Sequence, residues 1–300
     1  MSSHRSTTPL RTAVVGTGGI ARSSHLPALR TLADVGEVEI VAAVDVDIHA
    51  VRAFTAGAGI PYASTDLDAT LAELRPDLVV LCTPPAVHRD QAVAALGAGA
   101  WVWCEKPPCP SLADFDAIEA AERGGDAGPY ASIVFQHRFG SGARHVRRLL
   151  REGAFGRPLV AHCQTTWYRD AAYYSVPWRG RWATAGGGPA MGHGIHQTDL
   201  LLDLMGPWSE VRGMAARLVH RVETEDVSTA QVRFASGAVA TVVNSVLSPL
   251  EFITALYKSA FTGTPVRAGE IAPGDPYYTE LHGGARGWAP ATTRKEEAPA

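Results

Sequence analysis

From Arg11 onward, short runs of apolar and β-branched residues alternate with longer stretches whose apolar positions recur three or four apart. "RTAVVGTG" leads into "GIARSSHLPALRTLAD", and "VEIVAAVD" follows. This rhythm predicts βαβ units around a parallel sheet. Further strands are expected at "PYAS", "DLVVLCTP", "AWVWCEKP" and "YASIVFQHRF", and helices at "DLDATLAEL", "VHRDQAVAALGAG" and "SLADFDAIEAAERGG". The strand segments are apolar almost throughout, which implies burial on both faces of the sheet. In the second half, "LVAHCQTTW", "VRGMAARLV", "STAQVRFA" and "AVATVVNSV" predict a second sheet, with Ser236-Gly237 as a short hairpin turn. "GHGIHQTDLLLDLM" has helical spacing and stops at Gly206-Pro207. "NSVLSPLEFITALYKSAFTG" passes from a strand almost directly into an amphipathic helix.

Composition narrows the functional classes. The chain has 300 residues, 46% hydrophobic and 19% charged, enough to build substantial cores. A net charge of -3 gives no electrostatic footprint for nucleic acid or an anionic membrane surface. "MSSHRSTTPL" lacks the apolar core of a signal peptide, and no run approaches the roughly 18 apolar residues of a membrane span. Cys82, Cys104, Cys109 and Cys163 follow no CxxC spacing, so free thiols in a reducing, cytoplasmic setting are expected.

The first strand runs into Gly16-Thr17-Gly18-Gly19-Ile20-Ala21, a GxGxxA turn that opens a helix. In a dinucleotide fold Gly16 makes the tight turn, Gly18 lets backbone approach a pyrophosphate, and Ala21 permits close helix packing. Gly19 and Ile20, at the helix start, offer unpaired N–H groups to that pyrophosphate. Asp45 closes the second strand, where a carboxylate accepts from the adenosine ribose and repels a 2′-phosphate. NAD is therefore favoured over NADP, with Arg52 as the opposing signal. The competing reading is a glycine-rich turn with no dinucleotide.

Ligands of such sheets bind beyond the carboxyl ends of the strands. "CTPPAVH" places Thr83, Pro84 and His88 there, and "CEKPP" places Glu105, Lys106 and Pro107. A lysine held before a proline and facing a nicotinamide can hydrogen-bond a substrate hydroxyl or carbonyl; otherwise it is a solvated surface group. His88 can instead cap or pack the following helix. His193 and His196 supply only two imidazoles, too few for a structural zinc site, so no metal is expected. Asp199 lies one turn beyond His196, and a buried helix with a satisfied histidine also fits this segment. The aromatic and arginine cluster Trp167, Tyr168, Tyr173, Tyr174, Trp178, Arg179 and Trp182 can stack on a sugar or pack a domain seam.

"AVVGTGGIARSSHLPAL", "TPPAVH", "EKPP", "QHRFGSGARHVRRLLREGAFGRPLVA", "YYSVPWRGRW" and "GGGPAMGHGIHQTDLLLDLMG" together resemble the glucose-fructose oxidoreductase, inositol dehydrogenase and MocA-like oxidoreductases. The resemblance implies a dinucleotide-binding domain over 11–138 and a substrate domain over 139–288. The latter is an α/β domain with an open, mainly antiparallel sheet through which homo-oligomers form. Residues 1–10 and 289–300 are expected to be flexible ends. It further implies NAD-linked oxidation or reduction of a sugar, inositol or related polyol. His196 would take the proton of a substrate hydroxyl that Lys106 steers, with Tyr173, Trp178, Arg179, His193 and Asp199 on the substrate side. Thr83, Pro84, His88, Glu105 and Lys106 join the glycine turn on the cofactor side. Two departures stand out. Gly192 replaces an aspartate that many relatives carry one turn before the histidine, and the sheet looks shortened by an internal deletion near 249–250. An inactive dinucleotide-binding regulator and an NAD-dependent glycoside hydrolase are the alternative functions.

Overall fold

The computed structural model describes residues 8–122, 128–247, 250–267 and 270–284, in two compact units covering 1–246 and 247–300. The flexible ends expected at 1–10 and 289–300 fall largely outside the described residues, as does Pro249 of the deletion expected near 249–250.

The first unit begins with a parallel six-stranded sheet in the order β3-β2-β1-β4-β5-β6. Its strands are β1 (Leu10–Val15), β2 (Val38–Val44), β3 (Tyr62–Ser64), β4 (Leu78–Leu81), β5 (Trp101–Cys104) and β6 (Ala131–Ile133). The crossovers are α1 (Leu26–Asp34), α2 (Ile48–Ala58), α3 (Leu67–Leu74), α4 (Pro85–Gly97) and α5 (Leu112–Ala121). Alternation along β1 explains the two-sided core. Val14 joins Leu29, Val51 and Phe54 on one face, and Val15 joins Leu71, Leu81 and Leu96 on the other. Side chains start the crossovers: Asp47 accepts from His49 N at 2.8 Å, Asp66 from Ala69 N at 2.9 Å and Ser111 from Asp114 N at 3.1 Å.

Two segments depart from the sequence pattern. The helix after the glycine turn opens with a wide π turn over Ala21–His25 before α1. The strand expected through "YASIVFQHRF" ends at Ile133, because the Phe135 N–H folds back onto the Ile133 carbonyl at 2.9 Å and starts a 3-10 turn over Gln136–Phe139.

The rest of this unit contains α6 (Ser141–Arg151), the short α7 (Trp182–Ala185) and α8 (Ile195–Met205) against a four-stranded sheet. That sheet has the order β7-β10-β9-β8, formed by β7 (Val160–Thr166), β8 (Trp208–Ala216), β9 (Val227–Phe234) and β10 (Val239–Ser245). Only the β7–β10 pair is parallel. Leu201, Leu202 and Met205 of α8 cover one face through Cys163, Val232, Phe234 and Val242. Trp208, Val211 and Met214 of edge strand β8 are exposed. The second unit contains α9 (Leu250–Thr262) and α10 (Pro276–Thr279), where Lys258 pairs with Asp275 at 2.5 Å. Among the described residues no helix is long and apolar enough to cross a membrane.

Candidate active site

At the carboxyl ends of the first sheet lies a cavity of about 890 Å³. Gly16, Gly18, Gly19, Ile20 and Asp45 form one end, and Lys106, Tyr173, Trp178, Arg179 and His193 the other. Gly16 has φ +88°, and a Cβ there would stand 2.8–2.9 Å from the backbone of Cys82 and Thr83, so only glycine fits the turn after β1 where it passes the end of β4. A Cβ at Gly18 or Gly19 meets nothing within 4 Å, which leaves their backbone open to the cavity.

Asp45 Oδ2 accepts from Thr17 N at 2.7 Å and Thr17 Oγ1 at 2.9 Å, and Oδ1 accepts from Asp47 N at 3.1 Å. Burial opposes its charge, yet these donors and the nearby Arg22 outweigh burial and hold the carboxyl below its ordinary range. The cation that Asp45 feels is Arg22, whose Nε donates to the Thr17 carbonyl at 3.0 Å, rather than Arg52. A glycine turn open to solvent beside an ionised carboxylate is the donor and acceptor set that NAD requires, and the residues present fit it.

Thr83 and Pro84 also line the cavity, with Thr83 Oγ1 donating to Gln91 Oε1 at 2.6 Å. His88 does not line it. The ring is fully buried, with Nδ1 2.9 Å from the Pro107 carbonyl and Nε2 2.7 Å from the Thr83 carbonyl. It braces the two strand-end loops against each other, the packing role its position also allowed. Glu105 is on the wall, but its Oε1 is 2.7 Å from Nε2 of His25, and its Oε2 accepts from Lys106 N at 3.1 Å. The π turn aims His25 inward, which a regular helix pattern does not foretell.

Lys106 Nζ donates to the Gly192 carbonyl at 3.0 Å, and burial lowers its pKa. A Cβ at Gly192 meets nothing within 4 Å, so the position that lacks a carboxylate has room for one. Gly192 lies in a second π turn, Ala190–Gly194, which opens α8. Its floor is fixed from a distance: Glu225 accepts from Gly188 N at 2.9 Å and Ala190 N at 3.2 Å. The Glu225 carbonyl lies 2.0 Å from where a Gly188 Cβ would be, a close approach that only glycine allows.

The two histidines of this helix have different surroundings. Nε2 of His193 accepts from Arg169 Nε at 3.1 Å, which puts the neutral ring's proton on Nδ1, a buried atom with no partner. His196 is 4% exposed, does not line the cavity, and stacks on His137 with centroids 4.8 Å apart. Its Nδ1 is also buried without a partner. Burial, aided by Lys106 and other cations, depresses both imidazoles to about 4. Asp199 is not at the cavity either. Arg138 holds it through two bonds, Nε to Oδ2 at 2.6 Å and Nη2 to Oδ1 at 2.5 Å, so it neither orients His196 nor faces substrate. His137 and Arg138, adjacent in the 3-10 turn, thus cover the His196–Asp199 face of α8.

Two family models match the chain. One, described as an oxidoreductase family with an NAD-binding Rossmann fold, covers residues 10–127, and the GFO/IDH/MocA C-terminal domain covers 143–258. The WlbA dehydrogenase of Bordetella pertussis, solved with NADH and UDP-GlcNAcA, is 30% identical with a TM-score of 0.72, the match covering 80% of this chain and 73% of that one. The chain belongs to the Gfo/Idh/MocA oxidoreductase family.

Curated members of the Gfo/Idh/MocA family are similar over part of their length. A putative UDP-kanosamine synthase oxidoreductase subunit of Amycolatopsis mediterranei is 39% identical over 66% of this chain and 52% of its own. The D-glucoside 3-dehydrogenase of Escherichia coli is 28% identical over 75% of this chain and 62% of its own. The chain therefore spans about half to three-fifths of these two relatives. Against this Gfo/Idh/MocA background, sequence reasoning missed Arg169, His25 and Glu225. Their partners lie 24, 80 and 35–37 residues away, and no local pattern marks them.

Proposed function

We propose that the protein is an NAD-dependent dehydrogenase acting on a secondary hydroxyl of a sugar or polyol. The observation that carries this reading is one cavity wall bearing the Gly16–Asp45 cradle, the Lys106 ammonium and the imidazole of His193. When bound, NAD supplies the acceptor for the hydrogen and electron pair leaving the carbinol carbon. Lys106 hydrogen-bonds the hydroxyl and favours the oxygen's developing charge. The family resemblance gives the hydroxyl proton to His196, whose ring is neutral and whose Nδ1 has no partner although the ring stands behind the cavity wall, whereas the lone pair of His193 is held by Arg169. His193 Nδ1–H, Tyr173, Trp178 and Arg179 orient the substrate. The relatives that oxidise glucosides or were solved with a nucleotide sugar support this substrate range.

The test is reduction of NAD in the presence of free sugars, inositols and nucleotide-linked sugars. Turnover that Lys106→Ala lowers by about 10²–10⁴-fold, with NADH affinity unchanged, supports the reading. Because Gly192 provides no carboxylate relay, the second reading is a regulator, and NADH binding with no turnover of any compound selects it. We assign nucleotide binding to residues 11–138 and substrate binding to residues 139–288. Edge strand β8, with Trp208, Val211 and Met214 exposed, favours self-association, which sedimentation of the purified protein tests.

A further inference from the structure

Beside the main cavity, and sharing Tyr174, Arg179 and Gly180 with it, lies a second cavity of about 520 Å³. Arg179, Arg181, Arg217 and Arg221 stand around it. None of the four pairs with a carboxylate among the described residues. Glu223 is on the same wall, but its Oε2 accepts from Trp182 N at 3.2 Å. Arg179 Nε and His220 Nε2 are buried without partners, and the His220 ring lies 4.8 Å from that of Tyr174.

Four guanidiniums share this wall with one carboxylate, that of Glu223, which leaves an excess of positive charge that an anion can join, in a chain whose net charge is -3. Guanidinium forks match the oxygens of phosphates in paired hydrogen bonds, and several forks around one space suit a ligand with more than one phosphate. The dinucleotide's own pyrophosphate is expected at the Gly18–Ile20 end of the main cavity, so it does not fill this role. The rings of Tyr174 and His220 offer stacking surface beside the charge.

Resting on the dehydrogenase reading, we propose that this outer cavity is a diphosphate subsite, and that the substrate is a nucleotide-linked sugar. Its sugar passes the Tyr174–Gly180 partition to reach Lys106.

The experiment titrates UDP, and separately inorganic pyrophosphate, into the full chain saturated with NADH, so that the cofactor cradle is already filled. Both bind, and their affinity falls as salt rises. The double variant Arg181→Gln/Arg221→Gln weakens UDP by about tenfold or more, with NADH affinity and melting temperature unchanged. Arg181→Lys/Arg221→Lys keeps part of the affinity. A parent that binds neither ligand, or a glutamine variant that binds UDP within about twofold of the parent, overturns the subsite. Arginine-dependent UDP binding without turnover of any sugar would sink the dehydrogenase reading and leave the subsite standing. Oxidation of a free sugar as efficiently as its nucleotide-linked form would do the reverse.

Discussion

Replacing Gly16 and Gly18 separately by alanine separates fold from cofactor binding. At Gly16, φ +88° costs an alanine about 1–2 kcal/mol. Its methyl would also press on three backbone atoms of Cys82 and Thr83 at 2.8–2.9 Å, where β4 lies beside β1 in the centre of the sheet. Backbone there cannot swing aside as a surface side chain can, so about 1–3 kcal/mol of overpacking adds to the strain. The sum, about 2–5 kcal/mol, is a large part of a typical domain's stability. At Gly18 the same methyl meets nothing within 4 Å and no left-handed φ is involved, so stability is expected to stay within about 0.5 kcal/mol. The methyl there occupies the space through which a pyrophosphate approaches, and NADH affinity should fall about 10–100-fold. Urea unfolding and NADH fluorescence titration read the two effects. Parent-like stability for Gly16→Ala refutes the clash argument. Undiminished NADH binding by Gly18→Ala refutes the placement of the cofactor.

The His196 imidazole, held at about 4 by burial and Lys106, should keep kcat/KM high down to moderately acid pH. The alkaline limb comes from Lys106 losing its proton below the ordinary lysine range. In Lys106→Met, NMR titration should show the His196 pKa moving up towards 6.5; an unmoved value contradicts the coupling. Burial also lowers His88, and His193 matches His196 at about 4, so between about pH 6.5 and 4 the unfolded chain binds more protons than the folded one. Stability is complete above that window and is lost as pH falls through it; a flat unfolding free energy from pH 7 to 4.5 is the opposing result. Asp199→Asn should cost about 1–2 kcal/mol by weakening the Arg138 fork while leaving KM for substrate unchanged; a raised KM with full stability would return Asp199 to the substrate pocket.

The nucleotide half was legible because its signals are local. Apolar runs mark buried parallel strands, and Gly16, Gly18 and Asp45 each follow a strand end within one βαβ unit. The substrate half was legible in its strands but less so in its chemistry. Helical spacing put His196 and Asp199 on one face correctly, yet what covers that face is His137 and Arg138, from a turn about sixty residues earlier that the β pattern had run straight through. His88 reads as a site residue because polar groups near strand ends usually face ligand, and Asp199 because it lies one helical turn beyond His196. Here each spends its polar atoms on the scaffold.

The loop between β8 and β9 is organised from a single side chain. Asp226 accepts from Leu218 N at 2.8 Å, Val219 N at 2.8 Å and His220 N at 2.9 Å, and these bonds overcome its burial to keep the carboxylate ionised. All three donors are main chain, so any residue other than proline at 218–220 can make these bonds. With Glu225 anchoring the glycine run from the same stretch, this arrangement works as an exchangeable cassette. Outward-facing residues can be traded for others while the glycine run that leads into α8 keeps its anchor.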